Sequence, residues 1–153
     1  KRVFIPIYGT DGKLISYSGR AEDDIDEDKY YNCVDSESGN ILYNLNNIVN
    51  SKSNYIIVVE GYKSVWRLHE YGYYNVVSSL GSSLKAGQVK KLVPLFKDIV
   101  IFFDNDEAGR IGARLAIKKF YSVLNIISIN YDSDKDPADM SKLAIDNLLK
   151  SYK

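Results

Sequence analysis

Cysteine is nearly absent. Cys33 is the only one in 153 residues, which excludes an internal disulfide and any cysteine-built zinc cage and suits a reducing compartment. Histidine is as scarce: His69 stands alone, mid-helix and without ligand partners, and is expected at the surface. Net charge is missing too, because 20 Lys and Arg balance 20 Asp and Glu. That excludes a globally basic nucleic-acid binder while leaving room for a local basic face. No apolar run approaches the ~20 residues of a membrane span, and the N-terminus has no signal-peptide apolar segment. A cytoplasmic protein with no membrane partner is the expectation. Neither GxxxxGK[ST] nor GxGxxG occurs, so the common glycine-rich phosphate cradles are lacking. There is no internal repeat and no low-complexity tract. The chain opens at Lys1 inside a strand-like pattern, which reads as a piece of a longer protein.

What is there begins with a core. Hydrophobic residues make up 45% of the chain, which argues against wholesale disorder. A polar break at residues 50–54 divides it into an expected N-terminal part, residues 1–52, and a larger part, residues 53–153. In the first, apolar runs at Val3–Tyr8 and Leu14–Ser18 bracket Thr10-Asp11-Gly12-Lys13, a hairpin signal. A dense acidic run from Glu22 to Asp28 reads as a solvated loop, and Leu42, Leu45, Ile48 and Val49 fall at helical spacing. In the second part, strand and helix alternate. Tyr55–Val59, Asn75–Val77, Ile99–Phe103 and Ile126–Ile129 are short continuous apolar runs, as in buried parallel strands. Ser64–Tyr71, Ala86–Leu95 and Asp106–Phe120 fit helices between them. In the last, Ala108, Ile111, Gly112 and Leu115 form an i, i+3, i+4, i+7 stripe expected to pack on the sheet. The class is a parallel three-layer α/β domain.

Ligands of open α/β sheets bind beyond the carboxyl ends of the strands. The first of these strands ends in Glu60-Gly61 and the third in Asp104-Asn105-Asp106. The fourth is followed by Asp-Ser-Asp-Lys-Asp-Pro-Ala-Asp-Met, which holds Asp136 and Asp139. Carboxylates gathered from three strand ends repel one another and are costly to desolvate, so a cation is the natural compensation. An oxygen-only ligand set selects Mg²⁺ or Mn²⁺ over zinc. Asp106 taken alone also fits a helix N-cap. Haloacid-dehalogenase phosphatases place Asp-x-Asp after a hydrophobic strand as well. There the pair ends the first strand and a Thr or Val follows, whereas here Glu107-Ala108-Gly109 follows and an earlier strand ends in Glu60.

Val58-Val59-Glu60-Gly61-Tyr62, Ser79-Leu80-Gly81-Ser82-Ser83, Phe103 to Arg110 and Lys135-Asp136-Pro137 resemble the Toprim domain in its DnaG-type bacterial primase form. Upstream, Arg2 to Ile7, Ser18-Gly19-Arg20, Lys29 to Asn32 and Leu42 to Leu45 look like the small N-terminal subdomain of the primase polymerase core. The resemblance implies a Toprim (Rossmann-like) parallel sheet flanked by helices, preceded by a small α+β subdomain. It implies that Asp104 and Asp106 hold one or two Mg²⁺ ions, with Mn²⁺ as a substitute, and that Asp136, and Asp139 beside it, serve a second metal. Glu60 is implied as a general base or a metal ligand, and the sequence leaves both open. Arg20 and Lys29 match basic residues that line the nucleotide and template groove. Gly61, Tyr62, Gly81 and Arg110 are further nucleotide or nucleic-acid candidates. Each has an ordinary reading as well, as a turn glycine, a packing ring or a solvated charge.

The implied activity is Mg²⁺-dependent nucleotidyl transfer, making short RNA primers from NTPs on a single-stranded DNA template during replication. A replicative helicase would be a partner through regions of the parent outside this chain. A Toprim nuclease and a non-catalytic nucleic-acid-binding Toprim module are the alternatives. Three departures bear on them. The aspartate usual four residues after the Toprim glutamate is Ser64. The Asp-Pro-Asp of the family is Asp136-Pro137-Ala138, with Asp139 next. A lysine usual in the N-terminal subdomain is Ser38.

Overall fold

The computed structural model describes residues 1–22, 30–32 and 38–152. Cys33, Lys29 and residues 23–28 of the acidic run lie outside them. The Asp-Gly turn forms as its residues require. Gly12 takes φ +78°, where a side chain is disfavoured, and Gly9 N–H donates to the Lys13 carbonyl at 2.8 Å. Strands β1 (Arg2–Tyr8) and β2 (Leu14–Ala21) therefore pair antiparallel, and a short β3 (Tyr30–Asn32) extends the sheet in the order β1-β2-β3. One face buries Ile5 and Ile7 against Ile41 and Tyr62. The other leaves Phe4 and Tyr17 exposed, with ring centroids 5.4 Å apart.

The chain joins a second core before it reaches the polar break. Leu42, Leu45 and Ile48 are buried with Ile56, Val58 and Val77, and Tyr43 exchanges backbone hydrogen bonds of 3.0 and 3.2 Å with Ser78. The expected helix shrinks to one turn, α1 (Leu45–Ile48). Strands β4 (Tyr55–Val59), β5 (Val76–Ser78), β6 (Asp98–Ile101) and β7 (Asn125–Ser128) then form a parallel sheet ordered β5-β4-β6-β7. Between and after them come α2 (Tyr62–Glu70), α3 (Ala86–Leu92), α4 (Glu107–Phe120) and α5 (Lys142–Leu149). Side chains alternate across a strand, so Ile57, Val59, Val100 and Phe102 face Val65 and Leu68 of α2 and Ile145 of α5. Ile56, Val58, Ile99 and Ile101 face Val89 and Leu92 of α3 and Ala113 and Ala116 of α4. This is the expected three-layer parallel α/β fold with a small antiparallel sheet attached. Helix α5, capped by Ser141 Oγ accepting from Ala144 N, adds an element the periodicity did not announce.

Two expectations are corrected. The face of α4 turned to the sheet is Gly109, Gly112, Ala113, Ala116 and Phe120. Ala108 is exposed, and Ile111 and Leu115 are 41% and 58% exposed. The reason is steric. A Cβ on Gly112 would sit 1.6 Å from the Ser82 carbonyl oxygen, and one on Gly109 would sit 2.2 Å from that of Asp104. The helix lies so close to two loops that only small residues fit, and the bulky aliphatics are rotated outward. His69 is also corrected: it is half-buried, with Nε2 3.1 Å from Asn44 Nδ2. Asn44, itself buried at φ +73°, donates to the Val76 carbonyl at 2.8 Å. Burial pushes the His69 pKa below its usual value, against a hydrogen bond to the Tyr74 backbone that raises it.

Gly112→Ala is therefore expected to destabilise the protein by about 1–3 kcal/mol, although alanine favours helix by about 1 kcal/mol over glycine. Leu115→Ser, on the exposed side, should cost under about 1 kcal/mol. Urea denaturation of both variants checks the assignment, and the reverse ranking would restore the stripe expected from the sequence.

Candidate metal centre

Adjacent parallel strands whose connections leave in opposite directions open a crevice at their carboxyl ends. Here β4 leads through α2 to β5 on one side, and β6 leads through α4 to β7 on the other. Glu60 follows β4, and Asp104 lies three residues past the end of β6. The fold thus puts the two sequence-predicted carboxylates on either side of this crevice, and the Asp104 N–H donates to Glu60 Oε1 at 3.1 Å.

Charge accumulates around that pair. Burial pushes the Glu60 pKa up to about 7, helped by Asp104, Asp106 and Asp136, while the hydrogen bond from the Asp104 backbone pulls it down. Burial also raises Asp104 to about 6, with Asp136, Asp106 and Asp139 adding to the shift. Asp136 is raised as well, by burial and then by Asp139 and Asp106. All five predicted carboxylates therefore share one electrostatic environment. Asp106 is the N-cap of α4: its Oδ1 accepts from Gly109 N at 2.7 Å, so the capping reading holds for one of its oxygens.

The fit to a cation rests on one atom. Asp104 Oδ1 is buried without a hydrogen-bond partner, an arrangement that costs on the order of 1–3 kcal/mol unless something compensates it. Among the described residues no three carboxylates are drawn together closely enough to enclose an ion unaided. Mg²⁺ does not ask for that: it is usually held by one or two carboxylates and completes its shell with water and phosphate oxygens. Asp104 with Glu60 or Asp106 suits that habit, and Asp136 and Asp139 stand near. The turns beside Glu60 are open, since a Cβ on Gly61 or Gly81 would meet nothing within 4 Å. Gly81, at φ +143°, donates its N–H to the Glu60 carbonyl at 3.1 Å, and so serves the turn.

The remaining predicted residues divide. Tyr62 is 6% exposed, its ring packed edge-on to Tyr43 at 4.8 Å and stacked on Trp66 at 6.4 Å, so its faces meet protein. The Arg20 guanidinium lies 5.7 Å from the Tyr30 ring centroid, and that ring is tilted against Tyr62 at 6.0 Å. Arg110 Nη1 donates to Asn105 O and Oδ1 at 2.8 and 3.1 Å. Ser64 and Ala138, two of the departures, are both buried.

Sequence reading missed three residues that hold the site. Tyr131 donates its hydroxyl to the Phe103 carbonyl at 3.0 Å, and burial, then Asp104 and Asp136, push its pKa up. Arg67 Nε donates to the Ala138 carbonyl at 2.8 Å, and the Tyr71 hydroxyl donates to that of Met140 at 3.1 Å. Both come from α2, so the helix that starts at Glu60-Gly61 also pins the loop bearing Asp136. The i, i+4 spacing of Arg67 and Tyr71 was visible, but nothing in it named a carbonyl about 70 residues away.

The sign of the pH dependence follows from these shifts. Glu60 and Asp104 bind protons more tightly in the folded chain than their ordinary values of 4.5 and 3.8. The metal-free protein should then be most stable below about pH 4, as far as these two groups decide, and lose that contribution as pH rises to about 7. Glu60→Gln keeps an acceptor for Asp104 N while removing one charge. It should stabilise the metal-free protein at pH 8 by about 1 kcal/mol after allowance for solvent screening and flatten the slope. Thermal melts in EDTA from pH 4 to 8 measure both, and an unchanged slope would mean that the repulsion is not there.

Residues 54–129 match the Toprim domain model. The DNA primase of Clostridium acetobutylicum is 41% identical over 113 residues, 71% of this chain and 19% of that protein. That of Aquifex aeolicus is 31% identical over 148 residues, 93% of this chain and 30% of that protein. Among solved structures, the zinc-binding and RNA polymerase domains of the Aquifex aeolicus primase superpose with a TM-score of 0.84 at 29% identity, covering 99% of this chain and 40% of that one. A DnaG primase catalytic domain bound to single-stranded DNA gives 0.85 at 28% identity, with 98% and 51% covered. The chain thus spans a fifth to a third of the length of these curated relatives. The strand-end carboxylates, the sheet order and the similarity on both sides of the Toprim match agree, and the chain belongs to the DnaG-type DNA primase family, of which it carries the Toprim domain.

Proposed function

We propose that this chain is part of the catalytic core of a primase and performs Mg²⁺-dependent nucleotidyl transfer, joining NTPs into short RNA primers on single-stranded DNA. The observation that carries the reading is the buried, unpartnered Asp104 Oδ1 amid carboxylates that raise one another's pKa values. Asp104 and Asp106 would hold the ion, with Asp136 and Asp139 at a second position. Bound there, the metal would activate the 3′-hydroxyl and steady the pyrophosphate leaving group. Tyr131, Arg67 and Tyr71 hold the loops that carry these acids. Glu60, with a pKa near 7, is poised to exchange a proton at physiological pH. Arg20 would supply positive charge for phosphate contact, and the family resemblance gives Lys29, outside the described residues, the same role. Single-stranded DNA as template is supported by the primase relative solved with it. A replicative helicase would be engaged by segments of the parent beyond this chain, acting in the cytoplasm. No helix among the described residues is long and apolar enough to cross a membrane.

A second reading, a Toprim module that binds nucleic acid without catalysis, is favoured by Ser64 and Ala138. Both are buried uncharged where the family resemblance places carboxylates.

The test uses single-stranded DNA, labelled NTPs and Mg²⁺ or Mn²⁺, with this chain and with the full-length parent. RNA dinucleotides or longer products are expected, and Asp104→Ala should lower their yield by at least about 100-fold. Mg²⁺ should raise the melting temperature of the wild type and leave that of Asp104→Ala nearly unmoved. Shortened DNA would point to a nuclease. DNA binding without products from the parent would favour the non-catalytic module.

A further inference from the structure

A cleft of about 390 Å³ opens between α4 and the end of β7 and reaches one of the carboxylates. Asp104 and Asn105 belong to its lining. So do Arg110 and Arg114, one turn apart on α4, and the aliphatic side chains of Ile117 and Ile129. Neither arginine is ion-paired with a carboxylate among the described residues. Arg110 is steered by the neutral oxygens of Asn105, and Arg114 has no hydrogen-bond partner there. Two guanidinium groups without a carboxylate partner among the described residues thus line a cavity that reaches Asp104 at one end.

The lining chemistry narrows the occupant. Guanidinium groups present planar donor forks that match phosphate oxygens. Ile117 and Ile129 offer an apolar surface, and the volume lies in the range of small-ligand sites, large for a bare phosphate. We propose that this cleft is a nucleotide-phosphate site, with a phosphate on Arg110 and Arg114 and its sugar and base against Ile117 and Ile129. The phosphate could come from a nucleic-acid strand or from a free nucleotide, and the chemistry is shared. The inference deepens the primase reading and rests on it for the origin of the ligand, not for the cleft's affinity. Because the phosphate is held by Arg110 and Arg114 and not through an ion on Asp104, binding should persist without metal.

The experiment therefore runs in EDTA. Binding of a labelled single-stranded oligonucleotide and, separately, of a fluorescent nucleoside triphosphate is measured by anisotropy across a salt series. Arg114→Ala, which removes a side chain without an internal partner, should leave the melting temperature unchanged. It should weaken at least one ligand by about fivefold to tenfold. If the oligonucleotide is the ligand, the slope of log affinity against log salt should also fall by about 0.7. Arg114→Lys should restore the slope. Ile117→Trp, which fills the cleft without touching charge, should weaken the same ligand. Loss for the oligonucleotide alone assigns the site to a strand, and loss for the triphosphate alone to a free nucleotide. Unchanged binding of both ligands by Arg114→Ala and Ile117→Trp overturns the proposal. If binding in EDTA behaves as expected while Mg²⁺ fails to shift the melting temperature, the metal reading falls and the cleft stands. The opposite result keeps the metal centre and removes the cleft.

Discussion

The contact on which the sheet edge turns is the hydrogen bond from the Asp104 N–H to the Glu60 carboxylate, 3.1 Å long. It needs β4 and β6 as direct neighbours, with Val58 opposite Ile101, and it needs their chains to part in opposite directions immediately afterwards. It also needs α4 to begin close by. A Cβ on Gly109 would stand 2.7 Å from Glu60 Oε1 and 2.2 Å from the Asp104 carbonyl. The crevice, the hydrogen bond and the glycine are therefore one constraint seen from three sides. A side chain at 109 would push the helix away, and with it the Asp106 cap that aims the second acid.

Against that single favourable contact stands a group of like charges. The N-terminus of α4, with Asp106 as its cap, offers partial positive charge worth about 0.3–1 kcal/mol. Glu60 nonetheless rises to about 7, through burial first and the neighbouring Asp104, Asp106 and Asp136 after it. Ser64 and Ala138 then acquire a physical meaning. Both are buried, and a carboxylate at either would add charge in a poorly solvated place and raise its neighbours further. With Ser64 and Ala138 uncharged, the like-charge repulsion at this edge is that of Glu60 and the four aspartates alone.

Much of this was legible in the sequence because buried parallel strands leave an unmistakable trace. Tyr55–Val59 was recovered to the residue, and Glu60, Asp104 and Asp106 stand out because acids directly follow apolar runs. What was illegible depends on distances between elements far apart in the chain. The orientation of α4 is decided by the Ser82 carbonyl, 30 residues upstream, and hydrophobicity alone selects the wrong face, that of Ile111 and Leu115. Tyr131 is one of 13 tyrosines, and only the partner it finds, the Phe103 carbonyl, distinguishes it. Nothing in the sequence around Arg67 names its partner, the Ala138 carbonyl 71 residues away.

Helix α4 carries both signs of charge that matter here. Its cap is Asp106, and on its next two turns lie Arg110 and Arg114. Since Gly109, Gly112, Ala113 and Ala116 let it rest almost backbone to backbone against the crevice and the Ser82 loop, few flexible side chains cushion any displacement. Packed interiors transmit strain rather than absorb it. A shift of α4 would therefore move the acid at its tip and the two arginines together, keeping their separation fixed while changing both relative to Glu60. The close approach at Gly109 and Gly112 also explains why Ile111 and Leu115 point outward, while Phe120, two turns further on, is buried in the core.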